Sequence, residues 1–368
     1  MKLLVFNPEH DYAIANNDSN YVALESALQF ADDCALFAAY YPFDTGIVFQ
    51  QCADFASVTQ VVPWGWDKAI IKRLKNSGID SKLLPSDSQM DKIRELSHRR
   101  MSSIAMQYIL DNSRTPDVLP CPAAMLTDLD MIRKFAGEYG NVILKEPYSS
   151  NGRGHIIVHE SLTSAASNRI KKVLLKQGML LGEPLYNVIS NFAMEFYCDS
   201  AHNVEFYGYS LFDTDGFSYK KNILASDDKI INHICQLVDY ELVDEIKGLL
   251  IDFIRENIAE YYEGFLGVDM FVYDDGKVKL NPMVEINLRM TMGVVSHSIF
   301  QKKICDSSTG EMSFVYRKNR GELSDFVDMM KREYPLVCQD GRWVSGFESL
   351  CPINENTHYG IVVKVLGG

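Results

Sequence analysis

A predicted β-hairpin in the second half of the chain constrains the fold more than any other segment. Residues 265–286 form two apolar runs, and the Asp-Asp-Gly sequence at 274–276 between them is typical of a tight hairpin turn. Glu285, Asn287 and Arg289 are spaced two residues apart, so on a strand their side chains share one face, and the apolar residues between them face the other way. The sequence therefore predicts an antiparallel hairpin with one polar face.

The polar face of this hairpin is a candidate metal site. Glu285 and Asn287 place a carboxylate and a carboxamide oxygen side by side, and both are ligand types that suit Mg²⁺. Asp269, on the preceding strand, is a third candidate oxygen ligand, and Arg289 is placed to reach a phosphate or a carboxylate. The alternative is that these residues form only the solvent-facing side of an amphipathic hairpin.

Lys145 ends an apolar strand predicted at 141–145, and a lysine in a buried strand needs a partner. The loop that follows, at 147–154, reads Pro-Tyr-Ser-Ser-Asn-Gly-Arg-Gly. Small residues leave backbone N–H groups accessible, which suits a flap over phosphates, although a plain flexible turn is the alternative. The loop is not a P-loop, because no Gly-Lys-Ser/Thr follows. It is not a dinucleotide fingerprint either, because a third glycine and a following helix are missing.

The first 90 residues alternate short apolar strands with helix-like segments, which is typical of a small α/β domain with a parallel sheet. In open sheets of this kind, ligands bind outside the carboxyl ends of the strands. Two polar segments, 7–11 and 63–67, follow predicted strands. For the first, acceptor binding and local turn capping by Asn and Asp are both open; for the Trp pair in the second, packing is favoured over ligand binding. The candidate substrate-binding residues are Asn7, Glu9, His10 and Trp64.

Composition excludes several other classes of protein. With 36 Lys and Arg against 49 Asp and Glu, the chain has a net charge of −13, which disfavours nucleic acid and anionic membranes as partners. No apolar run reaches the roughly 18 residues of a membrane span, and the N-terminal apolar run is too short for a secretion signal. Eight scattered cysteines without a CxxC pair are typical of a reduced protein. We therefore expect a cytoplasmic protein.

Together, the lysine-bearing strand with its loop and the polar hairpin resemble the ATP-grasp superfamily. The matching segments, in the family's order, are LKEP at 144–147, SSNGRG at 149–154, LLGEPL at 180–185 and GVD…VEINLR at 267–289. The resemblance extends from about residue 95 to about residue 300. It implies an α/β and α+β chain, in which a Rossmann-like pre-ATP-grasp domain precedes a two-subdomain ATP-grasp fold. The implied domains are 1–94, 95–186 and 187–368, the last with a C-terminal tail.

The resemblance also implies a set of site residues. In ATP-grasp proteins, ATP lies between the two subdomains and Mg²⁺ bridges its phosphates. By this likeness Lys145 and Arg289 serve catalysis, and Asp269, Glu285 and Asn287 bind Mg²⁺, with Mn²⁺ as an alternative. The implied nucleotide-binding residues are Arg100, Lys145, Ser149, Ser150, Gly152, Arg153, Gly154, Glu183 and Leu185.

Three departures from the family's pattern bear on these expectations, one of which is that Arg153 in the loop is bulkier and more charged than the family's usual small residues. Residues 86–110 are predicted as one long helical stretch, in which Arg100 stands where the family usually has a lysine; an arginine can hold a phosphate through two hydrogen bonds. Asp269 and Glu285 are further apart than in the family's usual hairpin, and a bulge at 281–282, an Asn-Pro sequence, would absorb the excess.

The activity that the resemblance implies is that of an ATP-dependent carboxylate–amine ligase. Such an enzyme activates a carboxylate as an acyl phosphate and joins it to a nucleophile, so its partners would be a small-molecule carboxylate and an amine or peptide. Two alternatives stay open, an ATP-grasp small-molecule kinase and a non-catalytic nucleotide-binding module. The identities of the carboxylate and the nucleophile and the oligomeric state do not follow from the sequence, and the segment 301–368 has no functional interpretation.

Overall fold

The computed structural model describes residues 1–149, 154–159 and 161–367, whose strands form three β-sheets. The sheets follow one another along the chain with three, four and nine strands. Nowhere in these residues does a helix combine the length and the apolar composition that crossing a membrane would need.

The first sheet is parallel, as the sequence predicts. Its elements are β1 (Lys2–Val5), α1 (His10–Asn16), α2 (Glu25–Asp33), β2 (Ile47–Val48), β3 (Gln60–Pro63), α3 (Lys68–Asn76) and α4 (Asp87–Leu96). The strand order is β2-β1-β3, and Val5 lies opposite Pro63. Because β1 and β3 run in the same direction, the polar segments that follow them meet at one edge of the sheet.

The second sheet is antiparallel and holds the strand that ends in Lys145. Its elements are α5 (Arg100–Asn112), β4 (Ala124–Leu126), α6 (Leu129–Tyr139), β5 (Asn141–Lys145), β6 (His155–His159), α7 (Ser164–Gln177) and β7 (Leu180–Pro184). The strand order is β4-β7-β5-β6, and α6 and α7 pack on the sheet through one apolar cluster. β5 is therefore an inner strand, which accounts for its continuous run of apolar residues.

The prediction of one helix over residues 86–110 is wrong, because α4 and α5 are separated by a break at 97–99. At the break, the backbone N–H of Arg99 donates to the carbonyl oxygen of Pro147 at 3.1 Å. This bond to the loop after β5 interrupts the helical hydrogen-bond pattern. The side chains beyond the break therefore point in other directions than they would on one continuous helix. Arg99, rather than Arg100, is consequently turned into the protein, where it is 5% exposed.

The third sheet carries the predicted hairpin near one edge. Its elements are β8 (Val188–Cys198), β9 (Val204–Asp215), β10 (Ser218–Leu224), α8 (Asp227–Ile234), α9 (Tyr240–Asn257), β11 (Gly264–Asp274), β12 (Val278–Asn287), α10 (Met292–Lys303), β13 (Thr309–Tyr316), α11 (Glu322–Glu333), β14 (Val337–Gln339), β15 (Arg342–Ser349) and β16 (Tyr359–Leu366). The strand order is β12-β11-β8-β9-β10-β13-β16-β15-β14. The tail beyond residue 300 thus extends the same sheet.

An irregularity in the β11–β12 hairpin brings its acidic residues into register. Asp269 lies opposite Glu285, and Phe271 lies opposite Asn281. Between these pairs β12 contains more residues than β11, so it bulges around Pro282, a residue that cannot donate a ladder hydrogen bond. The predicted bulge is confirmed, and it is what sets the two carboxylates side by side.

Helix α10 fixes the first sheet against the third. Its residues 293–300 are all buried, as expected of a helix enclosed on every side. One apolar cluster contains Phe6 after β1, Val294 and Ile299 of α10, and Ile361 of β16. The segment between β12 and α10 is therefore held against the carboxyl edge of the first sheet.

Gly65 tests how tightly that edge is packed, because a Cβ there would lie 2.5 Å from the His10 ring. We expect Gly65→Ala to lower the free energy of unfolding by about 1–3 kcal/mol through overpacking, measured by urea unfolding. Gly137→Ala in α6 is the matched control, since its new Cβ meets nothing within 4 Å; it should add about 0.5–1 kcal/mol. Undiminished stability of Gly65→Ala would contradict this packing.

Candidate active site

Lys145 is buried at the end of β5, 4% exposed, and its partner is Glu183 on β7. Lys145 Nζ donates to Glu183 Oε1 at 2.6 Å. The pair follows from the register, because Ile143 lies opposite Glu183 and Lys145 is two residues along on the same face. Leu185, just beyond β7, donates its N–H to the Asn141 carbonyl oxygen at 2.9 Å. The lysine that sequence analysis singled out thus has the buried acidic partner that it requires.

The loop after β5 is closed at its base. The Glu146 N–H donates to the carbonyl oxygen of Gly154 at 3.1 Å. A Cβ on Gly154 would lie 2.4 Å from Ser149 Oγ, so only glycine allows this approach. Arg99 Nη1 donates to Glu146 O at 2.8 Å and to Ser149 Oγ at 3.1 Å. Of the predicted nucleotide-binding residues, Ser150, Gly152 and Arg153 lie outside the described residues.

Arg99 takes the place that sequence analysis proposed for Arg100. Arg99 Nη2 donates to Glu285 Oε1 at 2.6 Å, across to the polar hairpin. Its Nε is buried and has no hydrogen-bond partner among the described residues, so a donor is left for an anion. Arg100 instead pairs with Glu95 on the surface at 2.8 Å. Sequence analysis named Arg100, whereas in the structure its neighbour Arg99 is the arginine that contacts the polar hairpin.

His155 reports the electrostatic character of this region. Burial, and after it the positive charges of Arg99, Lys145 and Arg169, lower the pKa of His155 to about 3. The imidazole is therefore neutral near pH 7. A group of cations that disfavours one more positive charge is a region that favours a bound anion.

The polar face of the hairpin holds the three predicted metal ligands together. Asp269 and Glu285 are directly opposed on β11 and β12. Asn287 Nδ2 donates to Asp269 Oδ2 at 3.0 Å. The structure thus brings two carboxylates and one carboxamide to a single patch, next to Arg99.

Sequence analysis missed a buried carboxylate beside this patch, Glu195 on β8. Burial, together with the negative charge of Asp269, raises the pKa of Glu195 to about 8, although the hydrogen bond from Thr291 Oγ1 at 2.8 Å opposes that shift. A Cβ on Gly267 would lie 2.5 Å from Glu195 Oε2, so the glycine makes room for the carboxyl group. The available signal was a single acidic residue within the apolar run 192–198.

The patch fits Mg²⁺ by its donor chemistry. Burial, and then the charge of Glu285, raise the pKa of Asp269 to about 7, which a nearby divalent cation would reverse. Mg²⁺ in nucleotide sites is bound through one or two carboxylates and keeps water and phosphate oxygens as its other ligands. Across the described ranges, no group of three or more His, Cys, Asp or Glu is arranged to hold a metal by itself. The remaining ligands would therefore come from nucleotide and water.

Arg289 reaches this patch but is already engaged on three sides. It donates to Asp11 Oδ1 from Nε at 2.9 Å and to Asp11 Oδ2 from Nη2 at 3.2 Å. Nη2 also donates to Asn287 Oδ1 at 3.1 Å, and Nη1 donates to the Met290 carbonyl oxygen at 3.1 Å. Arg289 therefore bridges the hairpin and the first sheet.

The candidate substrate residues of the first sheet divide into two groups. Asn7 is fully buried and donates from Nδ2 to Gly65 O at 2.8 Å and to Asp67 Oδ2 at 3.3 Å, which favours the structural alternative. His10 is 2% exposed, with Nδ1 3.5 Å from Asp67 Oδ2. Glu9 keeps a buried Oε2 without a hydrogen-bond partner among the described residues, and burial raises its pKa. Glu9 Oε2 and His10 Nδ1 are thus the buried polar atoms of this set without a hydrogen-bond partner among the described residues.

Trp64 is a core residue. It is 6% exposed, and its ring lies 5.4 Å from Phe6, 6.4 Å from Phe37 and 6.3 Å from Tyr41, measured between ring centroids. An indole enclosed by aromatic rings stabilises the interior. The packing alternative therefore describes Trp64, and the expectation that it lines a substrate site is not supported by this position.

Comparison with solved structures shows which fold this is. Biotin carboxylase from Campylobacter jejuni, in a βγ-ATP complex, matches with a TM-score of 0.55 at 13% identity, over 99% of this chain and 87% of that chain. N5-carboxyaminoimidazole synthetase from Staphylococcus aureus, complexed with ADP, matches with a TM-score of 0.52 at 12% identity, over 100% and 93%. The biotin carboxylase domain of 2-oxoglutarate carboxylase from Hydrogenobacter thermophilus matches with a TM-score of 0.52 at 12% identity, over 84% and 70%. No protein-family model and no curated protein sequence matches the chain.

The chain has the fold of the ATP-grasp superfamily, with an N-terminal α/β sheet ahead of it. The predicted fold class is therefore confirmed. Identities of 12–13% establish the fold alone.

The low pKa of His155 gives a prediction for NMR. Its ring signals should not titrate between about pH 5 and 8, where those of an ordinary histidine do. The signals are assigned to His155 by their absence from the spectrum of His155→Asn. Adding an anionic nucleotide should raise the pKa, because negative charge favours the protonated ring. A midpoint near 6.5, the ordinary value, in the free protein would contradict both the burial and the cationic surroundings described for this residue.

Proposed function

We propose that this protein is an ATP-dependent ligase that activates a carboxylate as an acyl phosphate and joins it to an amine or a similar nucleophile. One observation carries the proposal. Arg99 contacts both halves of the site, Ser149 of the loop after Lys145 at 3.1 Å and Glu285 of the hairpin at 2.6 Å. This shared contact supports a single site for the residues suited to phosphate and those suited to Mg²⁺.

The reaction has two steps. A carboxylate oxygen of the substrate attacks the γ-phosphorus of ATP, the bond from that phosphorus to the β–γ bridging oxygen breaks, and ADP leaves. The amine nitrogen then attacks the acyl carbon, the acyl C–O bond breaks, and phosphate leaves with the bonding electrons. The nitrogen loses a proton to solvent or to a nearby base.

The chemical difficulty is repulsion between a carboxylate and a triphosphate. Bound Mg²⁺, held by Asp269, Glu285 and Asn287, would neutralise charge on the phosphates. Lys145 and Arg99 add fixed positive charge in a site with little water, where such charges act strongly. Lys145 would exchange its bond to Glu183 for one to a phosphate as the nucleotide enters.

The structural neighbours support the coarser part of this proposal. The Staphylococcus aureus synthetase is a complex with ADP, and the Hydrogenobacter thermophilus carboxylase domain holds MgADP, ADP and bicarbonate. Both are named for reactions that attach a carboxyl group. We carry over the use of ATP and Mg²⁺ to this chain, and leave the identity of its carboxylate open.

We further propose that the nucleophile or the carboxylate binds at the carboxyl edge of the first sheet, near Glu9 and His10.

The three sheets lie at 2–63, 124–184 and 188–366, which supports the domain boundaries 1–94, 95–186 and 187–368. A cytoplasmic location is proposed from the sequence alone.

The products of the reaction separate this function from its two alternatives. ADP and free phosphate, formed only when carboxylate and amine are both present, support the ligase. A phosphorylated substrate without free phosphate would favour a kinase. Binding of MgATP without turnover against broad pools of carboxylates and amines would favour a nucleotide-binding module.

Glu285→Gln tests the metal assignment. The amide keeps an acceptor for Arg99 but removes the charge that holds Mg²⁺, so ADP formation should fall by about 10²-fold or more. Coupled-enzyme detection of ADP measures it. Glu355→Gln removes the surface pair with Arg320 and is the control. Full turnover in Glu285→Gln would show that Glu285 does not hold the metal.

Thermal unfolding with Mg²⁺ and a non-hydrolysable ATP analogue tests binding independently of the substrate. A ligand at 100 times its Kd stabilises the folded state by about 2.7 kcal/mol. With Mg²⁺ and the analogue, the free energy of unfolding of the wild type and of Glu355→Gln should rise by this amount. Glu285→Gln should show no such rise. No rise in the wild type at millimolar nucleotide would overturn the proposed function.

A further inference from the structure

A continuous line of side-chain hydrogen bonds joins the first sheet to the hairpin. Asp11, in the first turn of α1, accepts two bonds from Arg289, at 2.9 and 3.2 Å. Arg289 donates to Asn287 Oδ1 at 3.1 Å, and Asn287 donates to Asp269 Oδ2 at 3.0 Å. Three successive contacts thus lead from the first turn of α1 to the candidate metal ligands.

The bidentate ion pair between Asp11 and Arg289 anchors this series of hydrogen bonds. Their side chains are 19% and 18% exposed, so both are largely removed from water. A bidentate carboxylate–guanidinium pair fixes the plane of the guanidinium group as well as its position. A second bond holds the same junction, because the Met290 N–H donates to the Trp64 carbonyl oxygen at 2.7 Å. Arg289 is therefore anchored from the first sheet.

The orientation of Asn287 depends on that anchor. Arg289 can only donate, so the atom of the Asn287 amide that faces it must be the oxygen. A carbonyl oxygen has two lone pairs, and Arg289 takes one, so the other stays available to a cation beside Asp269. Without Asp11, Arg289 would be free to turn away, and its positive charge, no longer compensated, would oppose a cation at this patch.

We propose that Asp11 is a positioning residue for the metal centre, acting through Arg289 on Asn287. Through it, the candidate acceptor edge of the first sheet and the metal–nucleotide site are coupled. This inference rests on the proposed function, since it assumes that Asp269, Glu285 and Asn287 hold Mg²⁺. Residues that orient metal ligands in this manner usually change metal affinity when they are replaced.

Calorimetric titration of the full-length protein with a non-hydrolysable ATP analogue tests the proposal. With Mg²⁺ present, Asp11→Asn should bind the analogue about tenfold more weakly than the wild type, or worse. In EDTA the two proteins should agree within about twofold, because the contacts of Lys145 and Arg99 are unchanged. Asp11→Glu, which keeps the charge, should recover part of the Mg²⁺-dependent affinity.

The matched control is Asp44→Asn, which removes a surface ion pair with Lys302 at 3.5 Å in the same N-terminal part of the chain. It should leave both affinities unchanged. An equal loss with and without Mg²⁺ in Asp11→Asn would mean that Asp11 serves only the fold, and no loss would mean that it does not act on the metal site. Either result overturns the proposal.

A measurement without any ligand separates this inference from the proposed function. The Arg289 guanidinium lies 5.9 Å from the centre of the Trp64 ring, so the emission of Trp64 reports on it. In a Trp66→Phe, Trp343→Phe background, both Asp11→Asn and Asn287→Ala should shift that emission, and Asp44→Asn should not. Unchanged emission in both variants would overturn the line of contacts. If the wild type failed to bind the analogue at all, the proposed function would fall, and the emission would still decide whether Asp11 and Asn287 are connected.

Discussion

The ion pair between Arg99 and Glu285 is the contact on which the arrangement of the site depends. A buried guanidinium must be compensated, and Arg99 is compensated from two directions, by the loop after β5 and by the β11–β12 hairpin. Because these belong to different sheets, one charged side chain links the loop after β5 to the β11–β12 hairpin. Among the described residues Arg99 Nε has no hydrogen-bond partner, so the side chain that joins the two sheets also offers a donor for a ligand.

Close approach of carboxylates is the second constraint on this structure. Strand register brings Asp269, Glu285 and Glu195 together, and burial first, then the neighbouring negative charge, raises the pKa values of Asp269 and Glu195. Gly267 permits the approach because it has no Cβ to meet Glu195. The negative charge of such a patch is not fully compensated until a cation binds. This is expected of a metal site in which the substrate supplies some of the ligands.

Much of this site could be predicted from the sequence because its residues lie on regular strands. Alternation placed Glu285 and Asn287 on one face, and the apolar run before Lys145 indicated a buried lysine with a partner. The errors arose where periodicity is interrupted. The family resemblance pointed to Arg100, whereas the break at 97–99 turns Arg99 toward the candidate site, where its N–H donates to Pro147 O. Glu195 was missed because one acidic residue in an apolar strand does not show what lies opposite it.

By itself, the sequence determined the elements and their faces: the parallel first sheet, the strand that ends in Lys145, and the hairpin with its bulge. These follow from local periodicity, turn chemistry and the backbone limits of proline and glycine. The tertiary structure decided which side chains meet. The pairs of Asp11 with Arg289 and of Arg99 with Glu285 join residues that are distant in the chain, and Trp64 packs among aromatic rings of the core. The physical reason is that such contacts depend on how the sheets pack against each other, which α10 helps to fix, and no local pattern encodes that packing.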